Sequence, residues 1–403
     1  MDTFGSVITW IDPPARGAND GPLHGLRIGV KDNIDVAGVA CTCASAFFAD
    51  RVAGEHAEVV RRLLAAGAQV TAKLNMAEFA VGVTSQNSAA GPTRNPWDPA
   101  RVPGGSSGGS GAAVAAGLVD ASLGTDTGGS IRLPASACGI TGLRPTVGSV
   151  SNAGVYPVSD LFDTVGPMAR AVTDIARIHA VLRGETPAPA PAARRIGVPG
   201  VFLTEDVDPA VAAAVRTAAG VFDMLGYEVV PIDIPGAGTA QDVVYTLVYS
   251  DLAERHRDRI RCASELFQPA TLERVSLGLR IGASERAAAL VRRDEFRQAL
   301  TAVFDRVDAV LTPAMPIDVP LLEGGADVIA QSRRMGQFSY PWSLHEGPTL
   351  AFPVGFHPAS GMPIGAQLTA AAHHESTLFD IGAKYQGVTG WHAVRPHVRT
   401  PNQ

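Results

Sequence analysis

Cysteine, basic charge and long apolar runs are all scarce in this chain, and each scarcity closes off a class of protein. Four cysteines in 403 residues (Cys41, Cys43, Cys138 and Cys262) are too few for a disulfide framework. Cys41-x-Cys43 is tighter than the usual zinc spacing and has no His or Cys cluster beside it. Free thiols and no metal are therefore expected. Lys and Arg number 33 against 39 Asp and Glu, a formal net charge of −6. That balance offers no electrostatic footprint for nucleic acid and no basic patch for a membrane surface. No apolar stretch reaches the ~18 residues of a spanning helix. Met1 to Trp10 lacks the basic-then-apolar order of a secretory signal. The expectation is a cytoplasmic protein with a small-molecule partner, no nucleic-acid or membrane partner, and no cofactor.

Familiar catalytic signatures are absent too. No Gly-x-x-x-x-Gly-Lys-Ser/Thr occurs, which argues against a phosphate-cradling loop. His56, His345 and His357 are scattered, without an Asp at a recognisable spacing. What remains is a globular composition, 46% apolar and 18% charged, with many turns expected from Gly 43 and Pro 29.

Leu26 to Val30 reads as a strand, Ala57 to Ala66 as a helix stopped by Gly67, and Gln69 to Lys73 as a second strand. Strand, helix, strand suggests a βαβ unit. Gly111 to Leu118 reads as a buried helix of small residues, and Ala121 to Asp126 as a strand. The stretch 186–192, alternating Pro and Ala, reads as a linker or surface loop. Further on, Arg195 to Val198 begins a strand. Asp208 caps a helix over Ala210 to Leu225, followed by a strand over Glu228 to Ile232. Residues 240–305 read as mainly helical. Ala309 to Pro313 and Leu350 to Val354 are late core strands. The arginines at 255, 257, 259 and 261 read as a solvated helix face. No internal repeat appears, and one domain over 1–403 is expected.

The chemistry concentrates in Gly104 to Ser110 (Gly-Gly-Ser-Ser-Gly-Gly-Ser) and Gly124 to Arg132 (Gly-Thr-Asp-Thr-Gly-Gly-Ser-Ile-Arg). Consecutive glycines permit unusual backbone angles, so bare N–H groups can converge on an anion. A serine on such a turn has an oxyanion hole beside it. Its hydroxyl still needs a base. Without a candidate histidine, a lysine is the alternative. It serves only if buried, because loss of water disfavours the ammonium. Lys31 ends an apolar strand, where burial is plausible.

These stretches resemble the amidase signature family. Gly29 to Asn33, Lys73 to Phe79, Arg94 to Pro99 and Val102 to Ser110 carry the likeness, and Gly124 to Pro145 carries it most strongly. The resemblance spans nearly the whole chain. It implies an α/β fold: a single domain with a large mixed, mostly parallel β-sheet covered by helices on both faces. Its signature core would lie at about 70–150 and a variable pocket segment at about 150–310. It further implies Ser130 as acyl-enzyme nucleophile, Ser106 as bridging serine after a cis peptide, and Lys31 as base. The N–H groups of Thr127, Gly128, Gly129 and Ser130 would form the oxyanion hole, and Ser107, Asp126 and Arg132 would support. Tyr156, Phe162, Tyr245 and Trp342 are candidates for an apolar pocket lining.

The implied activity is hydrolysis of a small aliphatic or aryl carboxamide to the acid and ammonia or an amine. The alternatives are a glutaminase component of a tRNA-dependent amidotransferase complex, or a relative specialised for allophanate, hydrazide or ester. Two departures from the family pattern stand out. Only 30 residues precede Lys31, where most members have a helical extension, and a homodimer is left open. In Trp342 to Pro348, Ser343 and Glu346 replace the usual Asn and Gly.

Overall fold

The computed structural model describes residues 2–184, 193–322 and 328–397. In chain order the strands are β1 (Val7–Arg16), β2 (Arg27–Lys31), β3 (Gln69–Leu74), β4 (Ala121–Asp126), β5 (Thr141–Arg144), β6 (Thr164–Ala169), β7 (Arg195–Pro199), β8 (Glu228–Ile232), β9 (Ala309–Pro313), β10 (Thr349–Phe356) and β11 (Pro363–Thr369). The helices are α1 (Glu58–Ala65), α2 (Gly108–Ala115), α3 (Arg132–Ala137), α4 (Val172–Arg183), α5 (Val201–Thr204), α6 (Pro209–Met224), α7 (Ala240–Cys262), α8 (Pro269–Leu277), α9 (Ala283–Phe304), α10 (Val328–Gly336), α11 (Tyr340–His345) and α12 (Glu375–Val388). All eleven strands join one sheet in the order β1-β3-β2-β4-β6-β5-β10-β11-β9-β7-β8.

The sheet is mixed, as the resemblance implied, but its centre is antiparallel. Parallel pairing is confined to β3-β2-β4 and β9-β7-β8. From β4 through β6, β5, β10 and β11 to β9 every pair is antiparallel. Parallel strands need a crossover, which α1 supplies between β2 and β3. A short turn such as the one from β10 to β11 returns the chain antiparallel. The β1 edge strand had no counterpart in the sequence reading. Pro13 and Pro14 lie within it, and proline is tolerated at a sheet edge because no ladder partner needs its N–H there.

Helices cover both faces. Along β10, Leu350, Phe352 and Val354 point to one side, and Ala351 to the other. The first side packs on α1, α4, α6 and α12 through residues such as Val60, Ile178, Val215 and Ile381. The opposite side meets the small residues of α2 and Ile131 and Ala135 near α3. Further along that side, Val310 of β9 packs under α7, α9 and α11. Asp208 accepts a hydrogen bond from Ala210 N–H at 2.7 Å, capping α6 as its sequence suggested. The stretch 186–192 lies outside the described residues. None of the described helices is long and apolar enough to cross a membrane. The four cysteines are free.

Candidate active site

Parallel neighbours β2 and β4 end side by side, Val30 opposite Leu123. The side chains just beyond that register therefore meet although they lie far apart in sequence. Lys31, at the end of β2, is fully buried, and its Nζ donates to Thr125 Oγ1 and to Ser106 Oγ, each at 2.7 Å. Burial pushes the amine down to about 7, against the pull of Asp126, Asp163 and Cys43. Asn33 Nδ2 also donates to Thr125 Oγ1, at 3.3 Å.

Ser106 sits in the turn before α2, after a cis Gly105–Ser106 peptide. Its carbonyl accepts from Ala77 N–H at 3.0 Å. Ser107 N–H donates to the Ser130 carbonyl at 3.3 Å, which brings the two Gly/Ser loops together. Their close approach depends on glycine. A Cβ at Gly124 would lie 2.9 Å from Ser107 Oγ, and one at Gly129 2.5 Å from Ser339 Oγ. Gly129 also holds φ at 130°, open to glycine but strained for other residues. No hydrogen bond joins the hydroxyls of Ser106 and Ser130 in the described residues.

Asp126 braces the second loop. Its Oδ1 accepts from Gly129 N–H at 2.8 Å, and its Oδ2 from Ile131 N–H at 3.0 Å and Arg132 Nε at 3.0 Å. Burial alone would raise this carboxyl, but Arg132 and Arg144 hold it well below the usual carboxylate range. Arg132 continues the brace to Ser339 O at 2.7 Å and to Ser343 Oγ at 2.9 Å. Ser343 is thus part of the loop's support, although it replaces the family's asparagine. Glu346 adopts φ 66°, a glycine-favouring angle, and pairs with Arg293 and Arg297. One expectation changes here. The N–H of Gly129 is committed to Asp126, so in this structure it holds the turn.

Ser130, 6% exposed, lies in the floor of a cleft with Thr127 and Gly128. The walls are Val81 to Val83, then Val244, Tyr245, Val248, Tyr249 and Leu252 of α7, Arg274 of α8, Ser332 of α10 and Tyr340 of α11. Tyr245 and Tyr249 stack with ring centres 5.0 Å apart, and Tyr340 donates to the Tyr245 hydroxyl at 3.1 Å. Arg274 is buried, donating to Ser332 Oγ at 2.7 Å and Ala270 O at 3.1 Å.

Of the four pocket residues expected from the sequence, only Tyr245 lines this cleft. Phe162 and Trp342 are wholly buried in the core with α7 and α9, Trp342 donating to Thr312 Oγ1. Large apolar side chains are more often core than lining, and these two follow that rule. Tyr156 lines a neighbouring cavity with Asn33, Thr125 and Asp163. Arg274, Tyr249 and Tyr340 carry no local motif that marks them. The row of arginines on α7 also divides. Arg257 and Arg261 are exposed, whereas the guanidinium of Arg259 lies 5.1 Å from the Phe48 ring centre and within 6.0 Å of Phe47, Phe79 and Tyr156. Arg259 is a packed cation among aromatic faces and not part of a solvated face.

A mixed sheet with a buried lysine set against paired serine loops defines an amide-cleaving hydrolase. The family model described as Amidase matches residues 11–379, and the chain belongs to that family of C–N hydrolases. It is 38% identical to the A subunit of glutamyl-tRNA(Gln) amidotransferase from Roseiflexus castenholzii, over 95% of this chain and 86% of the relative. Among solved structures, an amidase superposes with a TM-score of 0.84 at 35% identity, over 92% of this chain and 86% of the other. The A subunit of glutamyl-tRNA(Gln) amidotransferase from Thermotoga maritima superposes with a TM-score of 0.84 at 28% identity, over 98% and 91%. These relatives overturn one expectation. A small-molecule partner with no nucleic acid does not fit proteins named as components of a tRNA amidotransferase. The acidic net charge speaks only to non-specific electrostatic binding, and is silent on partners recruited through an assembly.

Proposed function

We propose that the chain is the amide-cleaving component of an amidotransferase-like assembly. It would hydrolyse a short amide bearing a carboxylate, of the glutamine type, through an acyl-enzyme on Ser130. The observation that carries the chemistry is the fully buried Lys31 amine at 2.7 Å from Ser106 Oγ. An amine brought down to about 7 is largely neutral just above that pH, and has a lone pair to offer. Lys31 takes the proton of Ser106 as Ser106 takes that of Ser130. The Ser130 oxygen attacks the amide carbon, and the N–H groups of Thr127, Gly128 and Ser130 hold the oxyanion. A rotamer turn of a serine closes the Ser106–Ser130 link when substrate fills the cleft, since apo contacts of this kind are often loose. The C–N bond breaks as Ser106 returns a proton to the leaving nitrogen. Water, deprotonated along the same row, then splits the ester and restores Ser130.

Arg274 supports the acidic acyl group. A buried guanidinium in the cleft of Ser130 suits a substrate carboxylate. The relatives named for tRNA amidotransferases supply the partner-dependent reading. The test is glutamine turnover by the purified chain, alone and with candidate partner proteins, in wild type and Arg274→Met. Glutamate release that rises with partner and is lost in Arg274→Met supports the proposal. Equal turnover of neutral aryl amides by both forms, with no glutamine cleavage, removes it. The mostly apolar walls, Val81, Val83, Val244, Val248 and Leu252, favour one second reading. In that reading the chain is a stand-alone amidase for a neutral aliphatic or aryl acyl group.

A further inference from the structure

Asp163 has no part in the proton row, yet it touches the loop that has. It stands one residue before β6, antiparallel to β4, and its Oδ1 accepts from the Thr127 hydroxyl at 2.6 Å. Its Oδ2 accepts from the N–H groups of Val158 at 2.6 Å and Ser159 at 3.0 Å. Val158 lines both the Ser130 cleft and the neighbouring cavity, so this turn is the wall between them. The Ser159 hydroxyl in turn donates to Asp251 of α7, and Arg286 of α9 donates to the other Asp251 oxygen at 2.9 Å. One unbroken polar chain thus runs from the helices over the cleft to the side chain of Thr127. In the function proposed above, the Thr127 N–H is one of the oxyanion donors.

We propose that Asp163 is a positioning residue for amide hydrolysis: it fixes the Thr127 peptide so that its N–H points at the oxyanion, and ties that peptide to the helices over the acyl pocket. The inference rests on the reading of Ser130 as nucleophile. The oxyanion donor must already be aimed when charge develops, and a displacement of about 1 Å costs about 10²-fold in rate. A carboxylate with three inward donors restrains the Thr127 side chain and hence its peptide. The charged groups around Asp163 are Lys31, Arg144 and, in the same cavity, Asp160. Burial raises its carboxyl to about 6, against its hydrogen bonds and Lys31, so the restraint weakens as pH falls through that value.

The test is the rate of Ser130 labelling by a fluorophosphonate, which needs no natural substrate or partner. Thr127→Val and Asp163→Asn are each expected to slow labelling by about 10²-fold at unchanged half-saturation. Thr127→Ser, which keeps the hydroxyl, should stay near wild type. The double variant should be no slower than the worse single, because both remove one contact. The acid limb of the pH profile should lose one of its two ionisations in Asp163→Asn. Should Asp163→Asn fail to fold, by circular dichroism, Thr127→Val against Thr127→Ser decides alone. Labelling of Asp163→Asn at the wild-type rate, or slowing in the double variant that multiplies the singles, overturns the proposal. If Ser130→Ala still labels, the nucleophile reading fails and the positioning role falls with it. A silent Ser130→Ala beside a wild-type Asp163→Asn removes the positioning role only.

Discussion

The floor of the cleft and its cover are built on opposite plans. The floor, from β2, β4 and the two Gly/Ser loops, is a set of close contacts in which buried polar groups have named partners: Lys31 with two hydroxyls, Asp126 with a loop and two arginines. The cover, α7 to α11, is a helical layer with aromatic side chains, one buried arginine and long solvent-facing stretches. The floor constrains the chemistry through hydrogen-bond geometry, which tolerates little error. The cover constrains the acyl group through shape, which tolerates volume-conserving change. Substrate choice can therefore drift in the cover while the floor stays fixed.

Substitutions can break this division or sharpen it. The largest effect is expected for Ser130→Ala, which should lower amide hydrolysis by about 10⁴-fold or more while the melting temperature holds. Residual turnover near wild type would place the nucleophile elsewhere. Lys31→Met should come next in activity, and it carries a sign in stability. The native amine titrates near 7 and its unfolded counterpart near 10.5. Between those values the unfolded chain binds more protons, so wild-type stability rises with pH. Below about 7 the full cost of burying the amine remains. Lys31→Met is expected to melt higher than wild type at pH 7, and the gap should close as pH approaches 10. The wild-type rate should rise through about pH 7 as the amine loses its proton, and a flat profile from 6 to 8 would contradict a lysine base.

In the cover, Arg259→Ala should cost about 1–2 kcal/mol in urea unfolding, through lost cation–π contact and lost packing of its stem. Because α7 also carries Tyr245 and Tyr249, KM should rise more than kcat falls. The smallest effect belongs to Arg257→Ala and Arg261→Ala, whose ion pairs with Glu254 and Asp258 are solvent-exposed and should leave the urea midpoint unchanged. An effect as large as that of Arg259 at either position would erase the distinction between packed and solvated arginines.

The same division separates what the sequence makes legible from what only packing creates. Ser106, Ser130 and Lys31 stand out because glycine-rich turns and a strand end are local patterns, and the roles proposed for them come from the resemblance to the amidase signature family. Strands β2, β3, β4, β7, β8, β9 and β10 are legible through local patterns as well. Phe162 and Trp342 were misplaced because an aromatic residue looks alike in sequence whether it lines a cleft or fills a core. Arg274 was missed because only the packing of α8 beneath α10 turns an ordinary helical arginine into a buried charge. Arg259 was misread because its partners Phe47, Phe48, Phe79 and Tyr156 come from other elements. The antiparallel centre of the sheet depends on pairings such as β5 with β10, which no local periodicity announces. Asp163 carried no motif weight, and its role follows only from the three donors that converge on it.

Lys31 and its hydroxyl partners belong to neighbouring strands and turns separated by 75 and 94 positions along the chain. Helices can form from local contacts before those distant ends are joined, since closing long loops is slow relative to coiling a helix. Recovery of nucleophilic reactivity after dilution from denaturant should therefore trail recovery of helical ellipticity. A newly made chain would stay inert towards cellular amides until its sheet is complete.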